Sequence, residues 1–525
     1  MRCRYRAPDV RRALLLAVAA ATLTGAGDAT AAPLIPRELS SLSTASHALV
    51  RVSGATGAAE VRAAGGTVVS KNLGIWRLPS ATAQRLVPGL AVDGSIVEFE
   101  AEQPRWRTVD AAAADDPLRP DEWWLGMIDA DRVASPGPGK PLTIVDSGVD
   151  LSHPEFATRP DTRVLGEQRL VGNTEFHGTA VTSVAAAPAN GVGIVGVYPG
   201  ALLGIWDASP RGILTSSALI QGIEAALSLG PGVINLSIGG TTRSGFEELA
   251  IFDAVARGSI VVAASGNERE EGDPPNYPAS LPHVVTVGAI GQNGQVTSFS
   301  STSAGMDVVA PGESIVAGVP SWLSPDLYET VDGTSFAAPM VSAAAAWVWT
   351  ARPNLDASQV TELLRRSARD LETPGRDASS GFGILDVGNA LSAAVPIRDP
   401  AEPNDSIDYV TADGLLHRAT PPLTSRARGR NAITARLDAT DDPRDVYRVW
   451  VPAKRRVSAT VTPANGALAT RLLGSTPKGV RAVRTARGLE IRNTGTAGRE
   501  VFVAASLGRG TAAYTLSLTT GALPR

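Results

Sequence analysis

Between His47 and about Arg105, short apolar runs alternate with Ala-rich amphipathic ones. Residues 48–52 predict a strand, 58–64 a helix, 67–69 and 74–78 two strands, 81–86 a second helix and 96–99 a last strand. The order strand, helix, strand, strand, helix, strand predicts a split, ferredoxin-like α+β unit. Residues 108–116 (TVDAAAADD) then make a small, polar, breaker-like connector suited to a linker or a cleavage zone. From Trp123 to about Val395, strands rich in Val and Ile alternate with Ala-rich helices, which predicts an α/β fold with a doubly wound parallel sheet covered on both faces. After Pro396 the helical pattern stops. Segments 446–451, 457–461, 490–492, 500–504 and 513–518, spaced by Gly, Pro, Asn and Thr, predict a small all-β sandwich.

Length and composition narrow the chemistry. At 525 residues the chain exceeds one ordinary core, and 43% hydrophobic against 19% charged residues describes folded domains and not a disordered chain. Lys and Arg number 48 against 52 Asp and Glu, so the whole-protein electrostatic case for nucleic acid is removed. One Cys, Cys3, and five His leave no room for a zinc ribbon, a disulfide scaffold or an iron-sulfur centre. Chemistry must therefore come from oxygen and imidazole groups. The first twelve residues carry five Arg, residues 13–26 are apolar, and Ala29-Thr30-Ala31 has the small-x-small form of an export cleavage site. Residues 1–31 are thus expected to be a signal peptide, with the Arg11-Arg12 pair faintly of the twin-arginine type. Fourteen apolar residues fall short of the roughly 20 that span a bilayer, so no membrane anchor is expected and the protein should be secreted.

Three motifs carry the chemistry. The apolar strand 141–145 ends in Asp146-Ser147-Gly148, which puts a carboxylate at the C-terminal edge of a buried strand, where open α/β sheets keep their active sites. Phe176-His177-Gly178-Thr179 places a His at the mouth of an Ala-rich helix. Asp332-Gly333-Thr334-Ser335-Phe336-Ala337-Ala338-Pro339 leads into the apolar helix 340–349 and puts a hydroxyl at a helix N-terminus, where developing negative charge is favoured. Each motif alone reads more simply as a turn or a cap. Together, in the order Asp, His, Ser, the blocks DSGVD, HGT and GTSFAAP resemble the subtilisin-like serine proteases (subtilases) over residues 116–395.

That resemblance implies a secreted serine endopeptidase. Ser335 would attack the peptide carbonyl, His177 would take and return its proton, and Asp146 would hold the imidazole tautomer and stabilise the imidazolium. Ser265-Gly266-Asn267 resembles the block that supplies a side-chain amide to the oxyanion, which makes Asn267 the oxyanion-hole candidate beside the Ser335 N–H. The segment 233–240 resembles the family strand that pairs with an extended polypeptide substrate. Ser237, Ile238 and Gly239, with Ala264, Ser265 and Gly266, are the substrate-binding candidates, and residues 212–214 the opposite edge. Glu268, Glu270, Glu271 and Asp273 crowd the adjacent loop; they read as a solvated run or, more sharply, with Glu268 at the pocket rim attracting Lys or Arg.

The run Gly191 to Gly196 spells GxGxxG, but it follows a helix and leads into a strand, the reverse of a dinucleotide fingerprint. It resembles instead a subtilase loop that wraps a structural calcium, with Asn190 as one ligand and Glu155 standing where the family usually has Asp; a plain glycine-rich turn is the alternative. No organic cofactor is expected. Residues 32–115 resemble the family's propeptide, an inhibitor of its own enzyme removed by autoprocessing between Arg105 and Asp116; a permanent domain is the other reading. In residues 396–525, Glu402-Pro403-Asn404-Asp405 begins what looks like the β-sandwich often appended to secreted bacterial peptidases. Residues 401–525 hold 19 Lys and Arg against 10 Asp and Glu, a basic surface fit for an anionic cell wall or polymer, or simply a solvated one. Two rivals share the fold: a catalytically silent secreted binding protein, which predicts a damaged triad, and an esterase or acyltransferase with the same nucleophile.

Overall fold

The computed structural model describes residues 47–524 apart from 71–73, 93–94, 102–115, 171–174, 211, 412–413, 417–419, 426–428, 463–467 and 486–487. The expected signal peptide and nearly all of the expected cleavage zone lie outside the described residues. The chain divides into two compact units at Gln103 and Pro104. In the first, β1 (His47–Val52), α1 (Gly54–Ala63), β2 (Thr67–Ser70), β3 (Ile75–Pro79), α2 (Ser80–Val92) and β4 (Ile96–Ala101) follow the predicted order. The strands pair antiparallel in the order β2-β3-β1-β4. The second helix outruns its predicted end at 86 and continues through Pro88, because Val87 and Leu90 on its inner side are buried in the same core as Ala48 and Val50.

The second unit is built on seven parallel strands: β5 (Pro141–Asp146), β6 (Thr162–Val164), β7 (Leu202–Asp207), β8 (Val233–Leu236), β9 (Ile260–Ala264), β10 (Val284–Ile290) and β11 (Met306–Pro311). Their order is β11-β10-β9-β8-β5-β7-β6. The chain therefore builds outward from β5 in both directions, and the C-terminal end of β5 is the switch point of the sheet. Along the inner strands, alternate residues enter different cores. Ile260, Val262 and Ala264 pack toward the helices α5 (His177–Ala186) and α8 (Thr334–Ala351). Val261 and Ala263 pack with α6 (Ser216–Leu227) and α7 (Gly245–Ala256). The short helices α3 (Trp123–Met127) and α4 (Pro154–Ala157) and the hairpin β12 (Ile315–Gly318) and β13 (Tyr328–Val331) complete the first of these layers.

Helix α8 is apolar all round, which suits only a helix enclosed on every side. From Phe336 to Trp349 every residue is buried, against β8 to β11 and α5. The next helix, α9 (Ala357–Ser367), starts at a capping box: Asp356 accepts from Gln359 N–H at 3.0 Å and the Gln359 side chain accepts from Asp356 N–H at 3.2 Å. After α10 (Val387–Ser392) one four-residue helix that the sequence pattern did not predict, α11 (Ile407–Val410), precedes the strands, and from Arg430 the chain is all-β.

Strands β14 (Arg430–Asp438), β16 (Arg455–Thr462), β18 (Val480–Thr485), β19 (Gly488–Asn493) and β21 (Thr511–Ala522) form one antiparallel sheet, and β15 (Arg444–Val451), β17 (Leu468–Leu473) and β20 (Arg499–Leu507) another. Both contribute to one core, with Leu437, Val457 and Leu516 from the first meeting Val449 and Val503 from the second. Strands β14, β17 and β18 are additions to the predicted set. Their Arg and Ala residues break apolar alternation, and β18 is exposed after Val480. Charged pairs join this region to α9 and β11: Arg365 bonds Asp307 and Asp441, each at 2.7 Å, and Arg436 pairs with Glu362.

Candidate active site

The end of β5 delivers Asp146 into the interior, 2% exposed. Its Oδ1 accepts from Ser147 N–H and from His177 Nδ1, both at 2.7 Å. Glycine at 178 makes the approach possible. A Cβ there would lie 2.3 Å from the Ser147 carbonyl oxygen and 2.6 Å from that of Gly148, both backbone atoms that cannot swing aside. The Gly178 N–H donates to Ser147 Oγ at 3.1 Å, so the start of α5 is fastened to the turn that follows β5. Burial by itself would lower the His177 pKa; the charge and hydrogen bond of Asp146 more than offset this and hold it above the ordinary imidazole value. About a third of the His177 side chain stays exposed, on the open side of the site.

Ser335 stands in the first turn of α8 and is half-buried. The neighbouring Phe336 ring lies 5.7 Å from the His177 ring, so nucleophile and base candidates share one locality. The Ser335 hydroxyl donates to the Ser237 carbonyl at 3.1 Å and makes no hydrogen bond to His177, so closing that bond takes a reorientation of the hydroxyl. In return Ser237 Oγ donates to the Ser335 carbonyl at 2.7 Å. Behind it, Asn235 Nδ2 donates to Ser237 Oγ and Ser342 Oγ donates to Asn235 Oδ1, both at 2.9 Å. Asn235 and Ser342 are fully buried. They are positioning residues that the motifs did not reveal, although an Asn inside the apolar strand Val233-Ile234-Asn235-Leu236 was a visible anomaly.

Asn267 follows β9, its Oδ1 held by Thr334 N–H at 2.9 Å and Thr334 Oγ1 at 3.0 Å. Among the described residues its Nδ2 makes no hydrogen bond, and it faces Gly333, where a Cβ would lie 3.4 Å away. The arrangement leaves an amide donor aimed at the start of α8. The substrate-binding candidates form two edges: Ile238 and Gly239 are accessible after β8, whereas Ser237, Ala264 and Ser265 are buried beneath them and Gly266 is half-buried. A Cβ at Gly239 would meet Asn276 Oδ1 at 2.1 Å, so a side chain there would displace the Asn276 amide. Past β7, Ile213 and Leu214 are 69% and 41% exposed, an apolar rim open to a ligand. Glu268 turns inward: its Oε2 accepts from Asn267 N–H at 2.8 Å and Asn276 Nδ2 at 3.2 Å, so it braces the oxyanion candidate as well as lying beside Gly266.

Glu155 and Asn190, the expected calcium ligands, flank one loop. Glu155 is fully buried; Oε1 accepts from Ile194 N–H at 2.9 Å and Tyr328 Oη at 2.8 Å, and Oε2 has no donor. Burial pushes this carboxyl up to about 7 despite those two bonds. Asn190 is exposed and its Oδ1 accepts from Val192 N–H at 2.9 Å. The N–H groups of Asn190, Gly191 and Val192 converge on Asp116 Oδ1 at 3.2, 3.0 and 3.0 Å. As arranged, the two expected ligands offer one oxygen without a donor between them, and the loop directs amides, not carbonyls, at Asp116; a full calcium shell takes six to eight oxygens.

Set beside known proteins, residues 137–383 match the Subtilase family. Subtilisin DY of Bacillus licheniformis is 36% identical over 275 residues, which cover 50% of this chain and 96% of that protein. Subtilisin E of Bacillus subtilis strain 168 is also 36% identical, over 252 residues, 47% of this chain and 64% of that one. Among solved structures, a psychrophilic subtilisin-like protease from the Antarctic psychrotroph Pseudoalteromonas sp. AS-11 aligns with a TM-score of 0.47 and 21% identity, covering 51% of this chain and 96% of that one.

Proposed function

The chain belongs to the subtilase family and is a subtilisin-like serine endopeptidase, and from that premise we propose that Asp146, His177 and Ser335 hydrolyse peptide bonds of polypeptide substrates through an acyl-enzyme. The observation that carries the assignment is the 2.7 Å bond between Asp146 and His177 at the switch point of the sheet, beside the first turn of α8. In the forward step the Ser335 hydroxyl leaves the Ser237 carbonyl and gives its proton to His177 Nε2 as Oγ bonds to the substrate carbonyl carbon. Charge moves onto the carbonyl oxygen, where Asn267 Nδ2 and the Ser335 N–H donate. His177 passes the proton to the leaving amine, the C–N bond breaks, and water repeats the sequence to free the acid. Asp146 orients the ring through its bond to Nδ1 and steadies the imidazolium. Residues 237–239 and 264–266 would bind the substrate backbone by strand addition, with Ile213 and Leu214 supporting an apolar rim.

The first unit is read as the inhibitory propeptide of a zymogen, supported by its βαββαβ order and its β2-β3-β1-β4 sheet, the ferredoxin-like arrangement. The export signal in residues 1–31 supports secretion, and among the described residues no helix is long and apolar enough to cross a membrane. Expression of residues 32–525 in wild-type and Ser335→Ala forms tests nucleophile and propeptide together. Loss of a roughly 8 to 9 kDa N-terminal piece in the wild type alone supports both; two forms that stay intact, or are cut alike, return the silent binding protein to first place. A structural calcium at Glu155 and Asn190 requires Asn190 to exchange the Val192 N–H for the ion, and Glu155→Gln should then abolish a calcium-dependent rise in the melting temperature of the catalytic domain. In the C-terminal sandwich, exposed Arg430, Arg455, Arg471, Arg481, Arg484 and Arg499 support contact with an anionic cell wall; no retention on wall material at low salt ends that reading.

A further inference from the structure

Four carboxylates meet where the connector after α10 passes the turn between β14 and β15. Asp399 and Glu402 come from the connector, Asp442 from the turn and Asp445 from β15, and one oxygen from each lies within 4.8 Å of the others. Asp442 is 8% exposed and Asp445 fully buried. Asp445 Oδ2 accepts from Tyr447 Oη at 3.2 Å and from Tyr514 Oη, while its Oδ1 has no donor among the described residues. Asp442 Oδ1 is likewise buried without a donor, and so is Asp399 Oδ1, whose partner oxygen accepts from Arg436 N–H at 3.1 Å. Both Glu402 oxygens are engaged by Asn404, at 3.2 and 2.9 Å.

The nearby cations are committed elsewhere. Arg365 is shared between Asp307 and Asp441, Arg436 pairs with Glu362, and His283 bonds Asp405 at 2.7 Å while reaching Glu402 only at 3.9 Å. A group of buried carboxylates without matching positive charge is costly, and the molecule has two remedies: bind protons or bind a cation. Burial, then mutual repulsion, raises the affinity of Glu402 and Asp442 for protons; in Asp445 the same causes outweigh its side-chain hydrogen bonding with Tyr514 and Glu402. The geometry decides between the remedies. A shared proton satisfies two oxygens, whereas four oxygens brought together and several lacking donors have the form of a coordination shell. Oxygens on opposite sides of a shell of about 2.4 Å radius stand about 4.8 Å apart.

We propose that Asp399, Glu402, Asp442 and Asp445 form a calcium site that ties the connector to the C-terminal all-β region. The donors are all hard oxygens with no imidazole or thiolate, which selects against zinc and copper. Several carboxylates contributed by the protein suit calcium better than magnesium, which keeps most of its water. A cavity of about 350 Å³, lined in part by His283, Arg365, Asp399, Glu402 and Asp442, gives an ion a way in. The site is separate from Glu155 and Asn190. Beside it, the Arg365 to Asp441 and His283 to Asp405 bonds reach the catalytic elements, so the ion would secure the attachment of the whole all-β region.

The test uses full-length Ser335→Ala protein, which cannot digest itself, stripped with EGTA and titrated with calcium chloride by calorimetry and thermal melting. The expected result is that Asp442→Asn/Asp445→Asn binds one calcium fewer per chain than its parent, while Glu155→Gln keeps that ion. In EGTA the double variant should melt at or above the parent, since two mutually repelling charges are gone, and it should lose the parent's calcium-dependent rise. If the double variant does not fold, Asp399→Asn alone serves: its affinity for that ion should fall about tenfold or more. Unchanged calcium number and unchanged calcium response in the folded variant, or a parent that binds no calcium, overturns the proposal.

Discussion

At the C-terminal edge of the parallel sheet, Asp146 is buried with a His and a backbone N–H on the same oxygen. At the opposite edge, Asp442 and Asp445 are also buried and, like Asp146 at its Oδ2, each has one oxygen without a donor among the described residues, but their neighbours are other carboxylates instead of an imidazole. The first carboxylate has its charge answered inside the protein by a group that titrates, and can take part in a proton cycle. The second group faces other carboxylates and can be answered only from outside. A buried acid is therefore defined less by its depth than by what is held against it.

The largest expected effect is at the first edge. Ser335→Ala should lower kcat on a peptide ester or amide by about 10⁶, and Asp146→Asn by about 10⁴, with unchanged far-UV circular dichroism. A residual rate in Ser335→Ala within tenfold of the wild type would detach catalysis from this site. Next comes the opposite edge: Arg365→Met removes the cation shared by Asp307 and Asp441, leaving them the backbone N–H groups of Thr286 and His283, and should cost about 3 to 5 kcal/mol in urea unfolding. A loss below about 1 kcal/mol would show that water already reaches this seam.

Asn267→Ala should reduce kcat by about 10² to 10³ with little change in KM, because its amide serves the developing oxyanion. Equal losses in kcat for Glu268→Gln would mean that the carboxylate, through its bond to Asn267 N–H, positions the amide. The smallest effect is in pH dependence. His177 acts as a base when neutral, and Asp146 raises its pKa, so kcat/KM should climb with pH through a midpoint above the ordinary 6.5 or so. Asp146→Asn should bring the midpoint down. The same pair should add to stability fully below the unfolded His pKa, and that contribution should fade as pH rises through the folded one. With the side chain partly exposed, the stability change is screened and small.

Contiguous motifs made the catalytic edge readable. Asp146, His177 and Ser335 each sit in a block whose neighbours have their own duties, as Gly178 shows by its fit against two carbonyls. The predicted strands of the N-terminal region and the strand 141–145 also correspond closely to those observed, because apolar periodicity reports burial directly. Asn235 and Ser342 were harder, since their contact joins residues 107 apart and neither lies in a signature block. The acidic seam was harder still. Asp441, Asp442 and Asp445 read locally as a polar turn, and only the return of the connector past β15 turns that solvated appearance into a buried group. Polar residues announce a turn and an interior site with the same letters; distant chain partners decide which.

Strand β9 measures the distance between the two edges. It begins after Ser259, on the cavity beside the all-β region, and ends at Ala264, just before Gly266 and Asn267. Five residues of extended chain make a strut of about 16 Å. Immobilised on a solid support by its all-β region, the molecule would turn its cleft away from the support, and grafting a different module onto that far edge would alter where the blade is carried without blunting it.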